Sequence, residues 1–164
     1  MSPLVRVVNT APLIFLSKIK RLELLRLGAD VVYAPSEVLN ELKAVQDGAE
    51  MTVREMLGGW LLEKSCSQQN LLVISRQALD PGEAEVVALA LELGTKDVVL
   101  DDLDARRFAR RSGLQPIGTL GLLLAGKRAG IIQTVSTEIY ALRQVGFYAN
   151  TALVARILSE AGEE

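Results

Sequence analysis

Short runs of apolar and β-branched residues alternate along this chain with longer stretches of helical periodicity, and this alternation constrains the fold most strongly. The runs lie at residues 4–8, 31–33, 71–74, 98–100 and 115–117. Strands that alternate with helices form a mostly parallel sheet, with right-handed crossovers and helices on both faces. The sequence therefore predicts an α/β fold whose binding site lies at the carboxyl ends of the strands.

Helical patterns connect these runs and continue to the end of the chain. They are predicted over residues 34–58, 81–94, 120–129, 137–145 and 151–161. Within the second of them, Glu85 falls on the side opposite the apolar face, and Gly94 stands where a C-terminal cap belongs. A length of 164 residues suits one compact domain, so we predict a single domain over residues 1–164 with a frayed tail at 160–164.

The residue types that are missing narrow the chemistry. The chain has no histidine and one cysteine, Cys66, which excludes imidazole zinc sites, Ser-His-Asp and Cys-His nucleophile systems, and an internal disulfide. The remaining kind of metal site is built from oxygen ligands, which suits Mg²⁺ or Mn²⁺. The sequence shows no targeting signal and no apolar run of membrane-spanning length, so we expect a cytoplasmic protein.

Acidic and amide side chains occur where such a site would be expected. They are Asn9, Glu41, Glu83 and the pair Asp101–Asp102. The pair directly follows a predicted buried strand, where mutual repulsion makes ionisation of both carboxyl groups costly unless a cation compensates. A hard cation can stabilise the negative charge that develops in phosphodiester cleavage and can activate water. We therefore predict that these side chains converge on a divalent metal ion.

Each acidic residue also has a purely structural interpretation. Glu83 and Asp80 fit a capping box at a helix start, and for Glu83 taken alone this interpretation is favoured. Asp102 and Arg106 fit an i, i+4 pair, and Glu41 fits a carboxylate at the border of an apolar helix face. Only the combination of these residues favours a metal site.

Basic residues that could meet a phosphate backbone are concentrated in one predicted helix. They are Arg106, Arg107 and Arg110, with Lys18 as a further candidate near the start of the chain. A solvated helix face explains the same spacing equally well. Because the formal net charge is −2, binding of nucleic acid requires such a local patch.

Four motifs in a fixed order resemble the PIN domain family. They are Val-Val-Asn-Thr-Ala-Pro-Leu-Ile at 7–14, Pro-Ser-Glu-Val at 35–38 continuing to Glu41, Pro-Gly-Glu-Ala-Glu at 81–85, and Leu-Asp-Asp at 100–102. More narrowly, the chain is similar to the prokaryotic subgroup related to VapC-type toxins. In that subgroup Gly-Glu-Ala-Glu, Asp-Asp with a following Arg, and Ile-Gly-Thr-Leu-Gly recur in this order, and the ordered set spans nearly the whole chain.

The resemblance implies a Rossmann-like three-layer α/β/α sandwich with a mostly parallel sheet of about five strands. It also implies a Mg²⁺- or Mn²⁺-dependent endoribonuclease, a homodimer and a cognate antitoxin protein as partner. Carried over by position, the catalytic residues are Asn9, Glu41, Glu83, Asp101 and Asp102. Of these, Asn9, Glu83 and Asp102 would hold the metal, with Asp102 the closer ligand of the aspartate pair.

Two positions depart from the family pattern and leave alternative functions open. Asn9 stands where the family usually carries Asp, and Ala11 stands where a small hydroxyl residue is common. An amide oxygen still coordinates cations, but the site has one negative charge fewer. One alternative is a catalytically inactive PIN-like domain that binds RNA or a protein partner. Another is a structural dimer module, indicated by the apolar helix over 120–129.

Overall fold

A computed structural model describes residues 2–164 and contains one five-stranded sheet in which all strands are parallel. The strand order is β3-β2-β1-β4-β5. This confirms the predicted α/β class. The strands are β1 (Val5–Val8), β2 (Val31–Pro35), β3 (Leu61–Lys64), β4 (Asp97–Val99) and β5 (Gln115–Ile117).

Helices connect the strands and continue after the last one. Within residues 2–164 there are nine α-helices and a short 3₁₀ helix at Leu22–Arg26. No helix in this part of the chain has the length and hydrophobicity needed to cross a bilayer. The helices are α1 (Thr10–Lys18), α2 (Ser36–Ala44), α3 (Ala49–Met56), α4 (Gln69–Arg76), α5 (Pro81–Leu93), α6 (Leu103–Arg111), α7 (Thr119–Arg128), α8 (Val135–Gln144) and α9 (Thr151–Glu160).

The central strands are covered on both faces. Successive strand residues point to opposite faces of a sheet, and Val7, Val8, Val98 and Val99 are all fully buried. Helix α5 lies against β1, β2 and β4. Burial on both sides of the interior strands β1 and β4 therefore supplies the layered packing that the apolar runs predict.

One predicted strand is wrong. Residues 71–74 form part of α4, and the third strand is β3, which pairs with β2 at the edge of the sheet. Leu72 is buried, whereas Val73 and Ile74 are more than half exposed, so this run buries one side of a helix. The periodicity of a short apolar run does not distinguish a strand from a helix. The strand β3 was not predicted, because it carries charged residues.

The predicted helix over residues 34–58 is also wrong, because two helices occupy this stretch. Residues 34 and 35 belong to β2, and α2 ends before a short connection that leads to α3. Gly48, directly before α3, has a φ of +89°, which is a left-handed conformation that glycine adopts without a steric penalty. The turn interrupts the helix although the apolar spacing continues.

The C-terminal tail, whose fraying stays a prediction, makes hydrogen bonds to two helices. The Glu163 carboxylate accepts hydrogen bonds from the backbone N–H groups of Val135 and Ser136, at 2.8 and 2.9 Å. Lys127 Nζ lies 2.7 Å from the same carboxylate and also donates to the carbonyl oxygen of Ala161. The tail therefore caps the start of α8 and ties it to α7.

Candidate active site

Two adjacent interior strands, β1 and β4, end side by side. Asn9 directly follows β1, and Asp101 lies two residues beyond β4. The backbone N–H of Asn9 donates to the carbonyl oxygen of Val99 at 3.1 Å. The carboxyl ends of parallel strands form the edge at which α/β folds bind ligands, so the strand ends predicted to carry the site are neighbours.

The side chain of Asn9 presents a buried oxygen without a partner. Asn9 is 8% exposed, and its Oδ1 accepts no hydrogen bond within residues 2–164. An asparagine at the start of a helix usually accepts a backbone N–H of the first turn, but Asn9 makes no such cap to α1. An unsatisfied buried acceptor costs about 1–3 kcal/mol. The Asn9 oxygen is therefore free to act as a ligand.

Glu83 fits both the structural and the functional interpretation. Its backbone N–H donates to Asp80 Oδ1 at 2.9 Å, and its carboxylate accepts the backbone N–H of Asp80 at 3.4 Å, so the capping box is present. Burial, followed by the negative charges of Asp80 and Asp102, raises the pKa of Glu83 from 4.5 to about 7. The charge of Asp102 thus acts on Glu83, although Glu83 lies in α5 and Asp102 precedes α6.

Glu41 approaches from α2. Its Oε2 accepts a hydrogen bond from Thr10 Oγ1 at 2.7 Å, and Thr10 is the residue after Asn9. The carboxylate also lies against Gly82, where an added Cβ would stand 2.7 Å from Glu41 Oε2. Glycine at position 82 therefore allows Glu41 to reach the first turn of α5, next to Glu83.

The two adjacent aspartates have different surroundings. Asp102 is exposed and caps α6, because its Oδ2 accepts the backbone N–H of Ala105 at 2.9 Å. Asp101 binds Thr119, whose backbone N–H donates to Oδ1 and whose Oγ1 donates to Oδ2, both at 2.7 Å. Burial raises the pKa of Asp101, although the bonds from Thr119 oppose this effect. Asp101 thus joins the end of β4 to the start of α7.

The set of ligands available for a metal is smaller than the sequence predicts. Among residues 2–164, no three Cys, Asp or Glu side chains are placed to hold one ion. Thr119 engages both oxygens of Asp101, and Thr10 engages one oxygen of Glu41. Glu83 and Asp102 each use one carboxylate oxygen to accept a backbone N–H and keep the other, and the amide oxygen of Asn9 has no partner. Mg²⁺ is commonly held by one or two carboxylates and several waters. The donors therefore fit Mg²⁺ or Mn²⁺, and the unpartnered Asn9 oxygen is the observation that supports the fit.

A groove with a volume of about 780 Å³ opens beside the two aspartates. Arg106 donates from Nη1 to the carbonyl oxygen of Leu100 at 3.2 Å, and burial followed by the charge of Arg110 lowers its pKa. The sequence analysis missed two of the five arginines, because nothing local indicates that α7 and α9 line the same groove as α6. The arginines that line the groove are Arg106, Arg107, Arg110, Arg128 and Arg156.

Lys18 does not line this groove. It is the last residue of α1, and its Nζ lies 2.7 Å from Asp47 Oδ2. A nine-residue helix is about 13 Å long, so Lys18 stands at the far end of α1 from Asn9. This ion pair lowers the pKa of Asp47. A role of Lys18 in binding nucleic acid stays a prediction.

Glu85 is buried, and its predicted position on the solvent side of the helix is wrong. It is 5% exposed, and its two oxygens accept the backbone N–H groups of Glu37 and Cys66, at 2.8 and 3.1 Å. Helix α5 packs against both the sheet and other helices, so its polar side also faces protein. Glu85 therefore fixes the start of α2 relative to the segment after β3.

Comparison with known proteins agrees with the motifs. A family model for the PIN domain matches residues 5–163. No curated protein matches the sequence. The matched region begins in β1 and ends after α9, so it contains the whole sheet and each of the candidate site residues. PIN domains have, in general, a nuclease-type function. A match over nearly the full length shows that the chain belongs to the PIN domain family.

Proposed function

We propose that this protein is a Mg²⁺- or Mn²⁺-dependent endoribonuclease of the VapC type that hydrolyses phosphodiester bonds in RNA. The proposal is carried by the buried, unpartnered Oδ1 of Asn9, which stands at the strand edge that also leads to Asp102. Its second support is the electrostatic coupling of Glu83 and Asp102, because two carboxyl groups that repel each other favour a cation between them. Family membership supports the nuclease class.

In this proposal Asn9, Glu83 and Asp102 hold the ion, and Asp102 is the closer ligand of the aspartate pair. A bound divalent ion stabilises negative charge on the phosphate and lowers the pKa of water. Glu41, oriented by Thr10, adds negative charge beside Glu83.

Asp101 is assigned a positioning role, because its bonds to Thr119 fix α7 beside the aspartate pair.

Glu83 also couples metal binding to pH. With a pKa of about 7, its carboxyl group is partly protonated in the metal-free protein near neutral pH. A carboxyl group must lose its proton to bind a metal, so the affinity of the site for the ion is expected to rise with pH.

Arg106, Arg107 and Arg110 attract the RNA backbone from the adjoining helix.

Cleavage of single-stranded RNA with Mg²⁺ or Mn²⁺, compared with EDTA, tests the proposal. Asp102→Asn is the decisive variant, because asparagine also caps helices and so preserves the start of α6 while it removes the charged ligand. We expect loss of cleavage and weaker metal binding, measured by calorimetry, with an unchanged melting temperature. Glu55→Gln, an exposed carboxyl group of α3, is the matched control. If wild-type protein leaves a varied set of RNAs intact with either metal, the proposal is wrong.

Asn9 supports a second candidate function, in which the domain binds RNA without cleaving it. Its amide has no negative charge, and a lost interaction of about 1.4 kcal/mol lowers metal affinity about tenfold. Asn9→Asp distinguishes the two functions. A gain in metal affinity with a gain in cleavage supports the nuclease, whereas unchanged inactivity with retained RNA binding supports the binding module.

The proposal includes two kinds of protein partner, a second copy of the chain and a cognate antitoxin. Both rest on the resemblance to VapC-type toxins. Light scattering of the purified protein tests the homodimer, and a monomer at micromolar concentration would contradict it. Co-expression with the product of a neighbouring gene tests the antitoxin, which should form a stable complex and suppress cleavage.

A further inference from the structure

Three arginines from three different helices line one groove, and none of them is paired. Arg110 lies in α6, Arg128 ends α7 and Arg156 lies in α9. All three line the groove of about 780 Å³ that begins at the aspartate pair. Within residues 2–164, none of the three forms a salt bridge. Five arginines and three carboxylates, those of Asp101, Asp102 and Glu160, line the groove, so it keeps an excess of two formal positive charges.

This positive charge is concentrated. Burial has the largest effect on the pKa of Arg106 and lowers it; the charges of Arg110 and Arg156 lower it further, and the charge of Asp101 opposes them. Cations held this close repel one another, and a bound polyanion relieves the repulsion. The formal net charge of the chain is −2, so the groove is not simply one part of a basic surface. Its charge is complementary to a row of phosphates.

An exposed aromatic ring borders the same groove. Tyr148 is 86% exposed, which is unusual for a large aromatic residue in a folded domain. The segment around it is well anchored, because the neighbouring Phe147 packs edge-on against Phe15 with ring centroids 5.1 Å apart. Two residues further on, Asn150 caps α9 through the backbone N–H of Leu153 at 2.7 Å. The ring of Tyr148 is thus presented to solvent from a fixed backbone.

Aromatic rings next to basic grooves are the usual means by which proteins bind unpaired nucleotides. We propose that this groove binds the nucleotides that flank the cleaved phosphate, with Arg110, Arg128 and Arg156 on phosphate groups and Tyr148 stacked on an unpaired base. The inference rests on the proposed function, because the bound strand is the proposed substrate. Bases in a duplex are stacked on each other and leave no free face for Tyr148, so the groove selects single-stranded segments.

Binding of a labelled single-stranded RNA of about ten nucleotides, measured by fluorescence anisotropy in EDTA, tests the base contact without cleavage. Tyr148→Ala is expected to weaken binding about tenfold, since stacking on an aromatic side chain is worth this much. Tyr148→Phe keeps the ring and should stay within about twofold of wild type. Tyr140→Ala is the control, because Tyr140 is 67% exposed in α8 and lies outside the groove. A strand of the same length without bases should bind wild type and Tyr148→Ala equally.

The salt dependence of binding tests the phosphate contacts. Each contact to a single strand contributes about 0.7 to the slope of log K against log salt concentration. Arg128→Gln and Arg156→Gln should each reduce the slope by about this amount, whereas Arg143→Gln, an exposed arginine of α8 outside the groove, should leave it unchanged. Melting temperatures should remain at the wild-type value, because all of these side chains are exposed.

Two results of the binding assays overturn the inference. One is an equal effect of Tyr148→Ala and Tyr140→Ala on RNA binding. The other is competition by a polyglutamate peptide as strong as that by unlabelled RNA, which would make the groove a site for acidic protein segments. The test also separates this inference from the proposed function. If cleavage depends on metal and every groove variant has an unchanged KM, the proposed nuclease function holds and the groove inference is wrong. If RNA binding depends on the groove residues but no metal supports cleavage, the groove inference holds and the nuclease function is wrong.

Discussion

Replacement of Glu83 by glutamine is expected to stabilise the metal-free protein at alkaline pH while it removes metal-dependent activity. The rise in the pKa of Glu83 from 4.5 to about 7 reflects burial and the charges of Asp80 and Asp102. That difference corresponds to about 3 kcal/mol at most. Because the carboxyl group is partly exposed, solvent screening reduces the effect to about 1 kcal/mol. Glutamine also serves in a capping box, so the helix start is preserved.

The sign follows from proton binding. A carboxyl group whose pKa is raised by folding binds its proton more tightly in the folded state, so its favourable contribution is present below about pH 4.5 and is lost as the pH rises through about 7. Glutamine has no such equilibrium. The free energy of unfolding of Glu83→Gln, relative to wild type, should therefore increase by about 1 kcal/mol between about pH 5 and pH 8.

Urea denaturation in EDTA at several pH values measures this difference. Comparison with wild type at each pH cancels the titration of all other groups, and Glu55→Gln shows what the loss of one exposed carboxylate does. A variant that loses the same stability at both ends of the pH range would refute the reasoning. In that case the hydrogen bond of Glu83 to Asp80, and not its charge, would dominate.

Three further predictions concern the side chains around the site and the tail. Gly82→Ala should displace the flexible end of Glu41 and lower kcat/KM about 100-fold, with little change in melting temperature. Glu85→Ala leaves two backbone N–H groups without an acceptor and should cost about 3 kcal/mol in urea denaturation. Glu163, whose pKa is lowered to about 2 by Lys127 and two backbone N–H groups, should stabilise the fold above about pH 4.5 and lose this effect as the pH falls toward 2. Glu163→Gln should therefore melt at a lower temperature than wild type at pH 7, and the difference should disappear in strong acid.

Much of the fold follows from local patterns. Four of the five strands lie within or across the apolar runs seen in the sequence, and α5 begins at its proline and ends at Gly94, which adopts a left-handed conformation. The errors occur where local patterns are ambiguous. The apolar run at 71–74 has the composition of a strand but forms α4, because the strand next to β2 is supplied by the more polar Leu61–Lys64. Edge strands bury less surface and therefore carry a weaker signal.

The candidate site shows the same division. Its residues could be identified from the sequence, because Asn9 and the aspartate pair follow strands and Glu83 opens a helix. Their individual surroundings could not be identified. Asp101 and Asp102 are neighbours in the chain, yet Asp101 is bound on both oxygens by Thr119. That partner is provided by the packing of α7 onto the end of β4.

The sequence by itself determined the fold class, the family motifs and the types of ligand available, because periodicity and residue type are local properties of a chain. The tertiary structure decided which oxygens remain free, which carboxyl groups repel each other and which arginines share a groove. These properties depend on distances of a few ångströms between segments that are remote in sequence. Such distances are set by how the helices pack on the sheet, and local patterns in the sequence do not determine them.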